Sequence, residues 1–237
     1  MGYAAADIDR VRAAYAAVLP LFAAHYRGSG KPFLAHLVGT ASILATRPAP
    51  VAEVIAGLLH AVHAAGDFGF GYGYGAGYTA RKHQWVIAAV GEEAAVVIWR
   101  YHDMPWQPEA IAQHTTQWHA LSTVERSAVT VRLANLLDDF SDAGMRQNLS
   151  KKNRKYLSAP LQQSILQLCE LNNWNDIKTC LEDEFQALNS AAQTLLPIDE
   201  HGFSAVQLPP SAKLKLLPRG QRLVSRVRRT VKRRIFR

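Results

Sequence analysis

Two apolar helical segments, each carrying a histidine, constrain this chain more than any other feature. "FLAHLVGTASILA" runs from Phe33 to Ala45 and "AGLLHAVHAAGD" from Ala56 to Asp67. Apolar residues on helical spacing must be buried on at least one face, and burial carries the imidazoles of His36 and His60 inward with them. A buried imidazole is commonly a core residue with both ring nitrogens hydrogen-bonded. Neutral imidazole is also the commonest metal ligand, and two on consecutive helices point further that way. His60, His63 and Asp67 are spaced so that one helical face carries two imidazoles and a carboxylate. That face suits a metal ion; alternatively His63 and Asp67 only cap or line the helix end.

The same periodicity extends along the chain. Ile8, Val11, Tyr15, Val18, Leu19 and Phe22 predict an amphipathic opening helix. "RGSGKP" (27–32) reads as a loop by its glycines and proline. Helices are expected over 33–46, 51–65, 81–90 and 92–102, with Gly91 as a break, followed by a loop at "HDMPWQPEA" that holds His102 and Asp103 in a structural role. Further helices are expected over 122–140, 161–171 and 176–196. Strand-like alternation is scarce, so the fold class is all-α. The reading divides the chain into a helical domain over 1–150, accessory helices over 151–196, a linker over 197–212 and a basic tail over 213–237. At 49% apolar residues the chain can build a core.

After the second histidine segment comes "GDFGFGYGYGAG" (66–77). It lacks the preceding strand of a dinucleotide fingerprint and the following Gly-Lys-Ser/Thr of a phosphate loop. Tyr72, Tyr74 and Tyr78 either form a stacking lid over a ligand or belong to a low-complexity insertion.

"AAHYRGSGKPFLAHLVGTASILA", "IAGLLHAV" and "VRLANLLDD" together resemble the HD-domain superfamily of metal-dependent phosphohydrolases, over residues 20–145. The nearest branch is the guanosine tetraphosphate hydrolase domain, which reads "H-x-x-x-x-R-x-S-G-E-P-Y-x-x-H", then "A-x-L-L-H-D-V-x-E-D", then "K-L-A-D-R-L". The resemblance implies an HD-like helical bundle, a divalent cation such as manganese, iron or zinc, and a phosphorylated, nucleotide-like small molecule. It makes His36 and His60 metal ligands and puts Asn135 at the distal ligand position. It gives Arg27 the nucleobase-packing role; Lys31 near it, and Tyr72 and Tyr74 where the loop is a lid, are the further candidate ligand contacts. The chain departs from the pattern where the paired aspartate is Ala61, the distal aspartate is Asn135 and the acidic pair is Ala64 and Ala65. A hard cation needs anionic oxygens to hold it and to acidify water. Three readings follow. The site is rebuilt as a phosphohydrolase with His63, Asp67 or Asp138 supplying missing groups, Asp67 and Asp138 being the candidate catalytic acids. Or the fold is kept as a binding module with a degenerate centre. Or the protein is a structural adaptor, in a cell-envelope polysaccharide setting.

The formal charge of +8 is unevenly placed. Eleven of the 27 Lys and Arg residues lie in 211–237 with no acid, leaving 16 against 19 acids, a net of −3, on the first 210 residues. In the tail, Leu223, Val224, Val227, Val231 and Ile235 form one stripe, and Arg222, Arg226, Arg229, Lys232 and Arg233 cover much of the rest. A basic amphipathic helix of this kind suits an anionic membrane surface. Nucleic acid would use the charges but not the apolar stripe, and a protein partner or the globule itself is the other acceptor. Asp7, Asp9 and Pro20 argue against a signal peptide, and the two cysteines exclude a disulfide framework. The expectation is a cytoplasmic protein, peripheral on the cytoplasmic membrane. Full-length protein should therefore co-sediment with phosphatidylserine vesicles, and a chain ending at Pro210 should not; equal sedimentation of the two would dismiss the tail as an anchor.

Overall fold

The three-and-four spacing of apolar residues becomes helix throughout a computed structural model that describes residues 2–194, apart from 24, 28, 29, 48, 69–78 and 142–153. The helices are α1 (Ala5–Phe22), α2 (Phe33–Ala45), α3 (Val51–Leu59), α4 (Val62–Ala65), α5 (Ala80–Val90), α6 (Glu92–Asp103), α7 (Pro108–Thr116), α8 (Thr123–Ser141), α9 (Ala159–Leu171) and α10 (Asn175–Thr194). Among the described residues there is no strand, only an isolated bridge between Tyr26 and Pro32 that closes the 27–31 loop. The chain is all-α, as its periodicity predicts. No described helix is long and apolar enough to cross a membrane. Tyr72, Tyr74, the 197–212 linker and the 213–237 tail lie outside the described residues.

α2 is the central element, packed against α3 on one side and α8 on the other, while α6 and α1 close over α3. Its mean composition explains this: Phe33, Leu37, Ala41 and Leu44 are buried along one face, and His36 and Thr40 are buried beside them. Close approach to α3 depends on Gly57, where a Cβ would meet the Leu44 Cδ1 at 2.7 Å and the Ala41 Cα at 3.1 Å. α9 packs on α7, and α10 on α9 and α8. The stripe Ile177, Leu181, Phe185 and Leu188 is buried, with Phe185 edge-on to Phe140 of α8 at 5.4 Å. Each such side chain, fully buried, contributes about 1.5–3 kcal/mol.

Local signals set the ends of several helices. Ser122 and Glu125 form a reciprocal capping box before α8: the Ser122 N–H donates to Glu125 Oε2 at 2.8 Å, and the Glu125 N–H donates to Ser122 Oγ at 3.3 Å. Gly91 takes φ +82° between α5 and α6, a conformation that suits glycine. Asn173 at φ +56° ends α9, and the Trp174 N–H reaches back to the Cys169 carbonyl at 2.8 Å.

Two expectations are corrected. The helix expected over 51–65 breaks at His60 and Ala61. The His60 ring takes the Gly57 carbonyl at 2.8 Å, the group that a continuous helix would offer to the Ala61 N–H. The loop expected at 102–110 is only four residues, 104–107, because α6 runs on through Asp103 and Pro108 opens α7. Proline at the first helical position starts a helix rather than preventing one, and His102 is consequently helical.

Gly39 of α2 faces Asp138 of α8 so closely that a Cβ would lie 1.8 Å from the carboxylate Oδ1 and 2.8 Å from its Cγ. Gly39→Ala must push this buried carboxylate out of place. Its expected cost is ~1–3 kcal/mol, measured by urea unfolding; an unchanged midpoint would mean the two helices do not meet this closely.

Candidate metal centre

His36 lies on the buried face of α2, one turn after Pro32 and Phe33 start the helix. Phe33 stacks on Phe22 of α1 at 4.8 Å between ring centres and so fixes how α2 enters the core. His60, at the C-terminal end of α3, faces it: the two Nε2 atoms are 3.1 Å apart, with His36 wholly buried and His60 3% exposed. The Tyr101 ring of α6 covers the far side of His60, with centres 5.1 Å apart.

α8 brings the oxygen donors. Asp138 Oδ2 is 2.6 Å from His36 Nδ1, and Asp139 Oδ1 is 3.7 Å from the same nitrogen. One turn earlier on α8, the Asn135 side chain lies close enough to the His36 ring to favour its protonated form, against the larger effect of burial. The loop from 27 to 31 closes the outer side. Lys31 Nζ donates to both Asp138 oxygens, at 3.0 and 2.9 Å. The Arg27 guanidinium pairs with Asp139 at 2.7 Å and lies 5.7 Å from the centre of the Phe33 ring. Arg27, Lys31 and Asp139 are partly exposed, so the approach from solvent passes over them.

Burial dominates the electrostatics. It holds the His36 imidazole down at about 2, helped by the nearby positive charges of Arg27 and Lys31, and it lowers His60 as well. It pushes the Asp138 carboxyl upward, while Lys31 opposes that shift. The Gly57 carbonyl can only accept, so the Nδ1 of His60 carries a proton, and its Nε2 faces the Nε2 of His36.

This arrangement fits a divalent cation. The donor atoms of His36, Asp138 and Asp139 lie within 4.8 Å of one another. An ion held through His36 Nδ1 and the two carboxylates would compete with Lys31 and Arg27 for the oxygens.

Of the residues singled out in the sequence, Arg27, Lys31, His36, His60, Asn135 and Asp138 meet here. His63 sits instead between His83 and His102, with ring centres 6.0 and 5.5 Å away. Asp67 is exposed, its backbone N–H bonded to the Leu21 carbonyl at 3.2 Å. Tyr72 and Tyr74 fall outside the described residues. Sequence reasoning missed Asp139. The signal was present, since "NLLDD" sets two acids three and four residues after Asn135, on its own side of α8. Compared with known proteins, the chain matches no family model and no curated protein.

Asp138→Asn should weaken Mn(II) or Zn(II) binding about tenfold or more in calorimetric titration, and an unchanged affinity would rule out an ion held by this group.

Proposed function

We propose that this protein binds a phosphorylated, nucleotide-like small molecule together with a divalent cation, on an HD-like helical domain that is weakly catalytic or non-catalytic. The observation that carries the reading is the charge of the cluster. Lys31 and Arg27 bring two positive charges and Asp138 and Asp139 two negative, a net of zero. A divalent ion raises the net to +2, which a phosphate monoester dianion neutralises. A cation alone must take the carboxylates from Lys31 and Arg27 and leave those two uncompensated. A phosphate alone must take Lys31 and Arg27 and leave the carboxylates uncompensated. The metal–phosphate pair lets all four groups change partners together, so each buried charge keeps a counter-charge.

In this reading His36, Asp138 and Asp139 hold the ion, with His60 behind them. Arg27 and Lys31, at the solvent edge, orient the phosphate. A bound divalent ion would supply charge neutralisation of phosphate oxygens. Little else in the segment prepares water for attack: Ala61, Ala64 and Ala65 stand where the resemblance places an aspartate and an acidic pair. The basic tail, 213–237, would hold the domain at an anionic membrane surface. The second reading, a metal-dependent phosphohydrolase with substituted ligands, is favoured by one observation, the His36–Asp138–Asp139 donor group itself.

A thermal-shift screen of nucleotides and sugar phosphates, each with and without Mn(II), tests the proposal. The stabilisation expected from both together exceeds the sum of the separate effects and reaches about 2.7 kcal/mol at a hundredfold excess over Kd. Asp138→Asn should remove the metal-dependent part and Arg27→Ala the phosphate-dependent part. Strictly additive shifts would sink the ion-exchange picture, and steady release of inorganic phosphate would favour the phosphohydrolase.

A further inference from the structure

We propose that α5 is an acid-released element: in weakly acid solution the imidazoles of His63, His83 and His102 take up protons and part it from α4 and α6, while the rest of the bundle stays folded. The three rings come from three helices, α4, α5 and α6. Ring centres lie 6.0 Å apart for His63 and His83, and 5.5 Å for His63 and His102. His63 is wholly buried, and His83 and His102 are half-buried. α5 itself is lightly held. Of its eleven residues only Lys82 and Val86 are buried, whereas α6 buries Ala94, Ala95, Val97, Ile98 and Tyr101. Gly91 at φ +82° ends α5, and the glycine-rich sequence 66–77 precedes it. A helix with so little buried apolar surface, bounded in this way, is one that opens locally before the core does.

The charges around the rings set the sign of the effect. Among the described residues, those that bear on His63 and His102 are Lys82 of α5, Arg132 of α8 and Asp103 of α6. Lys82 Nζ donates to the His63 carbonyl at 3.0 Å and lies 5.4 Å from the centre of the Phe68 ring. The buried side chains of α1, which packs on α4 and α5, are Ala14, Val18, Leu21 and Phe22, all apolar. Arg10 of α1 pairs with Glu93 of α6 at the surface, and Asp67 and Arg81 are exposed. A proton arriving on His63 or His102 thus meets two fixed cations and one carboxylate. Burial, followed by the influence of His102, His83 and Lys82, holds His63 down at about 4, and burial also lowers His102. A histidine held below its ordinary value of about 6.5 stabilises the closed form above that pH. The contribution is lost as pH falls from 6.5 towards 4. Between pH 7.5 and 5, His63 alone should raise the opening of α5 about thirtyfold. His36 and His60 are lowered too, but they lie among α2, α3 and α8, so their protonation requires the core itself to part. α5 opens first.

Hydrogen exchange of the full chain, read by mass spectrometry at pH 7.5 and 5, tests the proposal. EDTA keeps any ion at the His36 group out of the comparison. After correction for intrinsic exchange rates, the peptide covering α5 should open about thirtyfold more at pH 5, while peptides from α2 and α8 change less than about threefold. His63→Gln should reduce the α5 response to below about threefold. If that variant fails to fold, His102→Gln, which removes the foremost neighbouring charge on His63, should at least halve the response, with helicity by circular dichroism unchanged. An equal pH response in α5, α2 and α8 would mean that the core opens as one unit, and overturns the proposal. An α5 response indifferent to the histidine changes overturns it as well. Neither result bears on the metal–phosphate coupling at Asp138.

Discussion

The carboxylate of Asp138 is the contact on which the centre of this molecule depends. It projects from α8 into a space that exists only because residue 39 of α2 is glycine. There it meets the Lys31 ammonium through both oxygens and the His36 ring at 2.6 Å. A buried carboxylate without such partners would cost several kcal/mol, so the loop, α2 and α8 are held in one arrangement by the need to satisfy it. Removing any partner leaves a desolvated group behind. Lys31 thereby ties the end of the loop to the core, and the Tyr26–Pro32 bridge closes the loop at its base.

From that carboxylate a line of contacts runs inward through His36 and His60 to the Gly57 carbonyl. The last of these also explains the fold, because the ring that caps Gly57 ends α3. One side chain thus does two things: it breaks a helix and it turns a nitrogen toward His36. The glycine at 57 allows α2 and α3 to approach closely enough for the two rings to meet at 3.1 Å. Small residues at two helix contacts and imidazoles between them make one construction, in which packing distance sets donor geometry.

Most helices were legible in the sequence because a period of 3.6 with apolar residues records burial directly. The break at His60 was not, since it arises from a side chain competing with the backbone for one carbonyl, and spacing is blind to that competition. α7 was hidden because Pro105 and Pro108 look alike in sequence, yet one lies in a connector and the other begins a helix. At the site, His36 and His60 stood out as polar residues in apolar runs. Asn135 was found by its place in a motif, and Asp138 was named only as one of several possible substitutes, while Asp139 beside it was passed over. Lys31 was read as a contact for ligand; that its ammonium rests on Asp138 depends on a pairing across 107 residues. The grouping of His63 with His83 and His102 needed the three helices in place.

The two histidine groups differ in a way that bears on what each can hold. Around His36, imidazole is mixed with carboxylate oxygens, and each carboxylate already has a cation beside it. In such an arrangement a cation can take the carboxylates only by displacing Lys31 and Arg27, which is why the proposed reading pairs it with an anion. Around His63 the neighbours are the imidazoles of His83 and His102, and the nearby fixed charges are mostly positive. His60 and His63 are three residues apart, separated by the same helix break, yet they face different electrostatic surroundings. A single turn of irregular backbone therefore turns one imidazole of a histidine-rich segment toward the carboxylate group and the other away from it.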